Sequence, residues 1–209
     1  WNMQHAIVPG VPGVYIEAGF GGHKVIPGTY TATLTYRDQS VKKQITIKNN
    51  PSYAISDSQF AAYNAFMNEV EQNVTQMHEQ VNTLKTAQED IATLLKRIKE
   101  TKKHPLLVAE GETLIKELEA WDEQMVQRRS QAYDDVENFE NKFTAEYLFL
   151  MNQVDSSLPR VNQSSIDRKT ELDAQWQQLK ATGNALLNSK LPTYNKKLWD
   201  AGYGAIQLK

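Results

Sequence analysis

The sequence predicts an α+β protein: a partial Ig-like antiparallel β-sheet over residues 1–50, then an antiparallel four-helix bundle with one long helix over 51–209. Three observations carry this. Residues 29–36 and 41–48 alternate apolar and polar side chains with period two. Residues 60–98 repeat apolar side chains at steps of three and four. Further downstream, Pro, Gly and Asn punctuate shorter helical stripes.

Pro27-Gly28 predicts a type II turn, with glycine supplying the positive φ. Tyr30, Ala32, Leu34 and Tyr36 then alternate with four threonines, and "RDQS" (37–40) connects to a return strand. That strand sets Val41, Ile45 and Ile47 on one face and Lys42, Gln44 and Lys48 on the other. Two further strands are expected, at "GVYIEA" (13–18) and "WNMQ" (1–4), separated by the loop-forming "VPGVPG". Two strands alone are marginal in water. The apolar face is therefore expected to be covered by the bundle or by the 5–25 loop, or to pair through its open edge with a second copy.

Asn49-Asn50-Pro51 ends the strands, and "SDSQ" (56–59) has capping-box form with Ser56 as N-cap. The long helix carries Phe60, Tyr63, Met67, Val70, Val74, Met77, Val81, Leu84, Ile91, Leu95 and Ile98, with Gln88 filling one place in the stripe. "KKHP" (102–105) stops it. A second helix shows Leu107, Leu114, Leu118, Trp121 and Met125, and residues 128–141 are expected to be mostly loop. A third shows Phe143, Tyr147, Leu150 and Val154, closing at "DSSLP" (155–159). The fourth has Leu172, Trp176, Leu179, Leu186 and Leu187, and Pro192 starts or kinks a last piece bearing Leu198 and Trp199.

Composition narrows the function. There are 23 Lys and Arg against 25 Asp and Glu, a net charge of −2, which lacks the basic field of a nucleic-acid binder. No stretch reaches the roughly 20 apolar residues of a membrane span. Zero cysteines exclude disulfides, thiolate nucleophiles and Cys-based zinc sites. The sequence opens on Trp1 with no leader segment, so either something was removed or this is a piece of a longer polypeptide.

Catalytic patterns are poor, and no catalytic, cofactor-binding or metal residue is assigned. His5, His23, His78 and His104 are far apart in sequence with no i, i+4 pair, and His78 is expected at a solvated or edge position. "GFGGH" (19–23) is followed by no helix and lacks a P-loop Lys, so it reads as a flexible connection. Asp134-Asp135 and Glu117/Glu119 read as solvated, and Trp121 and Trp176 as core. The Asn73-Val-Thr and Asn162-Gln-Ser sequons matter only in a host that glycosylates them.

Trp1-Asn2-Met3-Gln4, Pro27 to Tyr30, Asn50-Pro51, Val154-Asp155-Ser156-Ser157 and Tyr194 to Leu198 form an ordered series. In that order the chain resembles the C-terminal region of bacterial sortilin-like, BNR-repeat β-propeller proteins, often labelled glycosyl hydrolases. Departures include Asn2 for Asp, Gln4 for Arg and Asn50-Pro51-Ser52 for Asp-Pro-Arg. The resemblance implies an exported protein, periplasmic or at the cell surface, whose propeller precedes Trp1 and carries any glycosidase chemistry. No Ser-x-Asp-x-Gly-x-x-Trp Asp box occurs here. The chain itself is then expected to be a non-catalytic accessory or interaction module, partnered by that upstream propeller or by a second copy through a helix face or sheet edge. The alternative is a carbohydrate-binding accessory domain, which requires a platform of exposed rings such as Tyr15, Phe20 and Tyr53.

Overall fold

A computed structural model describes residues 1–156 and 159–207. Ser157 and Leu158 of the "DSSLP" stretch lie outside them. Among the described residues, one two-stranded antiparallel sheet, β1 (Gly28–Tyr36) with β2 (Gln39–Ile47), is followed by helices. These are α1 (Asp57–Thr101), α2 (Pro105–Met125), α3 (Phe143–Asp155), α4 (Gln163–Ala185) and α5 (Leu191–Asp200). α1 packs against α2, α3 and α4, and α5 against α2.

The hairpin has the expected register. Tyr30 faces Ile45 and Leu34 faces Val41, so the apolar residues of both strands share one face. The turn is Arg37-Asp38, tightened by a left-handed Arg37 at φ 54°. Pro27-Gly28 is not a type II turn. Gly28 has no positive φ and is already the first residue of the ladder, paired with Ile47, which demands extended backbone.

The two additional strands do not form. Residues 1–26 make a strap that doubles back on itself with a single bridge, Gln4 to Lys24. A few backbone bonds tie its arms, including His5 N–H to His23 O and Val8 N–H to Phe20 O, both 2.9 Å. Other backbone groups of the strap are met by helix side chains and, at Tyr15, by Ser130. Asn152 on α3 accepts from Gly19 N–H and donates to Gly19 O, both 2.9 Å. Asp155 accepts from Lys24 N–H at 3.1 Å, and Asn82 donates to Gly10 O at 3.0 Å. Backbone groups satisfied in this way have no need of a neighbouring strand. Val8 and Val11 sink into the helical core and fix the strap on α1.

The sheet face expected to be covered is open. Leu34, Tyr36 and Val41 are 74%, 67% and 69% exposed. Among the described residues the hairpin is held at its base, where the Tyr30 hydroxyl donates to Ile26 O at 2.6 Å and Trp1 lies 5.5 Å from the Tyr30 ring. The strap is already committed to the helices, so it cannot fold over the strands.

α1 starts at the predicted capping box. Gln59 N–H donates to the Ser56 hydroxyl, and Ser56 N–H to Gln59 Oε1 at 3.0 Å. It stops at Lys102, whose left-handed backbone (φ 54°) turns its N–H onto Lys99 O. At 1.5 Å per residue its 45 residues span about 67 Å. All eleven predicted apolar positions are buried. Ala87, not Gln88, fills the remaining place, because three residues after Leu84 and four before Ile91 keep the stripe straight. Gln88 instead donates to Glu119 on α2 at 2.8 Å. Ser56→Ala should lower stability by about 1 kcal/mol, read as a shift in the urea midpoint. An unmoved midpoint would show that the box contributes nothing.

The predicted faces of α2 and α3 are buried. Gly111 lets α2 and α5 close up: a Cβ there would stand 2.9 Å from both Leu95 Cδ2 and Tyr194 Cζ. Residues 128–141 are not all loop. Asp135 accepts from Gln131 N–H and Ala132 N–H, at 2.8 and 3.0 Å, and opens a short 3₁₀ turn, Tyr133–Glu137. α4 and α5 join without a break through a π turn, Leu186–Lys190. Pro192 lacks an N–H and its ring crowds the carbonyl four residues back, and a widened turn relieves both. After that turn Leu198 points inward, while Trp199 is 73% exposed.

Candidate functional site

Three polar side chains of α1 stand seven residues apart beside the apolar stripe: Asn64, Glu71 and His78. Seven residues are close to two turns, so they share one face, and that face meets the strap. Gly22 makes the approach possible, since its missing Cβ would stand 2.6 Å from the His5 carbonyl carbon. The two arms of the strap consequently stack His5 on His23, ring centres 4.0 Å apart and 12° from parallel.

His23 is wholly buried. Its backbone N–H donates to Glu71 Oε1 at 2.5 Å, and Nδ1–H to the same oxygen at 2.8 Å. Nε2–H donates to Asn64 Oδ1 at 3.1 Å. Both partners are acceptors, so this arrangement suits an imidazolium with two N–H donors. The Tyr63 ring closes the site edge-on at 5.5 Å. Burial alone would lower the His23 pKa. The bonds to Glu71 and Asn64, with the charges of Glu71 and Asp155, outweigh it and hold the pKa above its ordinary 6.5. His5 is pushed the other way, by burial and by the neighbouring His23 charge, against a weaker pull from Glu71.

His5, His23 and Glu71 bring ligand-type atoms within 4.8 Å of one another. As arranged they do not converge on an ion. Both His23 nitrogens already have partners, Glu71 and Asn64.

His78 departs from the solvated position expected of it. It is fully buried, its Nδ1–H donates to Pro9 O at 2.6 Å, and its Nε2 has no partner among the described residues. Burial holds its pKa below 6.5, against the bond to Pro9. His104 lies elsewhere, edge-on to Tyr203.

Two phenol–carboxylate pairs flank α1. Tyr63 donates to Asp155, and Tyr147 to Asp173, which also holds Lys169 at 2.7 Å. Burial raises both phenol pKa values well above 10, and the adjoining carboxylates add to it. Such hydroxyls stay protonated and serve as fixed donors. Of the other carboxylates weighed in the sequence, Asp135, Glu117 and Glu119 also have structural partners. Glu117 pairs with Lys190 at 2.5 Å across a groove of about 480 Å³ between α2 and α5. Trp121 and Trp176 are core residues. Asn73 donates to the Tyr147 hydroxyl at 2.8 Å, and Asn162 caps α4.

The three rings of the carbohydrate alternative have separate neighbours. Tyr15 lies edge-on to Tyr133, Phe20 packs on His78 and the core, and Tyr53 follows the hairpin, 46% exposed. No ring–ring contact joins them among the described residues.

No protein-family model, curated protein or solved structure matches this chain.

No helix among the described residues is long and apolar enough to cross a membrane. The histidine cluster was not legible in the sequence, where position 5 and position 23 share no helical spacing. The available signal was on α1, in the seven-residue spacing of Asn64, Glu71 and His78.

Proposed function

We propose that this chain is a non-catalytic interaction module whose hairpin docks on β-structure of an adjoining domain in the same polypeptide. The open apolar hairpin face, with Leu34, Tyr36 and Val41 mostly in solvent, supports this reading best. Both outer edges of the two-stranded sheet also offer unpaired N–H and C=O groups to an added strand. Isolated exposed apolar residues are ordinary, but a matched cross-strand set on one face is what a sheet buries. In this reading the hairpin belongs to an Ig-like sheet completed by the neighbour, and the helices form an antiparallel four-helix bundle that carries it. The neighbour is the exported β-propeller that the resemblance implies, and hydrolysis, if any, belongs there.

Hydrogen exchange tests the docking. β1 and β2 amides should gain protection when the chain is expressed joined to its natural preceding sequence, and the paired change Leu34→Lys with Val41→Lys should remove that gain. Equal exchange with and without the neighbour would overturn the reading. A concentration-dependent dimer of the isolated chain, abolished by the same pair of changes, would assign the face to a second copy instead.

A further inference from the structure

We propose that His23 and Glu71 form a proton-operated clasp that holds the strap, residues 1–26, on α1 while His23 is an imidazolium and loosens when that proton leaves. The inference is independent of what the hairpin binds. It rests first on hydrogen-bond polarity. Glu71 Oε1 and Asn64 Oδ1 both accept, one on each ring nitrogen of His23. A neutral ring has only one N–H and cannot donate to both: with Nδ1–H kept on Glu71, the ion pair with the Glu71 carboxylate is lost and the Asn64 amide must turn to donate to Nε2.

The surroundings fix the direction. α1 presents Glu71, Asn64 and the Tyr63 ring to His23, and α3 contributes Asp155. On the strap itself, Lys24 is engaged by Asp155, its Nζ donating to the Asp155 carbonyl at 2.5 Å, while His5 is stacked on the ring. The charges acting on His23 are thus the two carboxylates of Glu71 and Asp155. His23 has its pKa raised by folding, so its contribution is full below 6.5 and is lost as pH rises through the folded value.

Two other strap contacts work in the opposite sense. His5 and His78 both have lowered pKa values, so charging them opposes docking below about pH 6.5. His78 donates to Pro9 O and packs on the Phe20 ring, and among the described residues no carboxylate bonds its imidazole to accept a second proton's charge. Strap docking should therefore be strongest near neutrality and weaken on both sides, through His23 above and through His5 and His78 below.

Hydrogen exchange of residues 18–25, corrected for intrinsic rates, reads the clasp in the intact chain. Protection should fall about five- to tenfold between about pH 6.5 and about pH 8.5, the difference between a hydrogen bond with both partners charged and one with only the carboxylate charged. Amides in the middle of α1 should not change. In His23→Gln the fall over this range should vanish. A wild-type strap equally protected at both values, or a fall that persists in His23→Gln, would overturn the clasp. Should that variant misfold, the NMR titration of the His23 ring in the wild type decides instead: a pKa at or below 6.5 overturns it, and one above 6.5 upholds it.

Discussion

Val74→Asp is expected to abolish the cooperative thermal transition of this protein, and Leu84→Asp to do the same. Val74 is wholly buried at the middle of α1, and Leu84 is 2% exposed. An aspartate at either site places a carboxyl among apolar side chains with no partner. Loss of the valine or leucine forfeits roughly 1.5–3 kcal/mol of burial. Desolvating the carboxyl, or protonating it to avoid that, adds several kcal/mol more. The sum reaches the lower end of the 5–15 kcal/mol that holds a typical domain together. α1 contacts three other helices, so its failure is not local. Circular dichroism melts check this directly. A variant melting like wild type would show that the stripe is not the core.

The second large effect concerns the two central tryptophans, which behave differently despite equal burial. Trp121 and Trp176 are each 1% exposed. Trp121 Nε1–H donates to Leu179 O at 2.8 Å, tying α2 to α4, whereas the Trp176 N–H has no partner among the described residues. Trp121→Ala should cost about 3–5 kcal/mol, from lost burial and the cavity left behind. Phenylalanine separates the hydrogen bond from the packing. Trp121→Phe removes one hydrogen bond from Leu179 O, a carbonyl that also accepts within α4, while Trp176→Phe removes a donor that had nothing to bond. The first should therefore destabilise by about 0.5–1.5 kcal/mol more than the second. Urea midpoints at unchanged m-value make the comparison. Equal costs would show that the Trp121–Leu179 bond contributes nothing.

The helices and the hairpin were legible because their causes are local. Ser56 and Gln59 cap α1 from three residues apart, and the stripe from Phe60 to Ile98 declares its buried face through spacing alone. Alternation set the register of β1 and β2 for the same reason. What alternation records is which residues share a face, not what lies upon it, so the open face of the hairpin was out of reach. The strap was illegible for a different reason. Its backbone partners are side chains 48 to 133 residues away, on helices whose polar positions look solvated in sequence. The seven-residue spacing of Asn64, Glu71 and His78 puts them on one face, but nothing in it names the segment laid against that face. The π turn before Pro192 was half visible: proline announced a disturbance but not that the helix would continue past it.

The strap also imposes an order on synthesis. Gly19 and Lys24 find their partners on Asn152 and Asp155, 133 and 131 residues later in the chain. At ribosomal rates of about 5–20 residues per second, those partners emerge about 7 to 26 s after the strap does. The strap is thus completed long after it has itself been translated. Until α3 has been made, Val8 and Val11 belong to a nascent chain without its finished groove, and that interval is when capture by a chaperone or by another chain competes with docking.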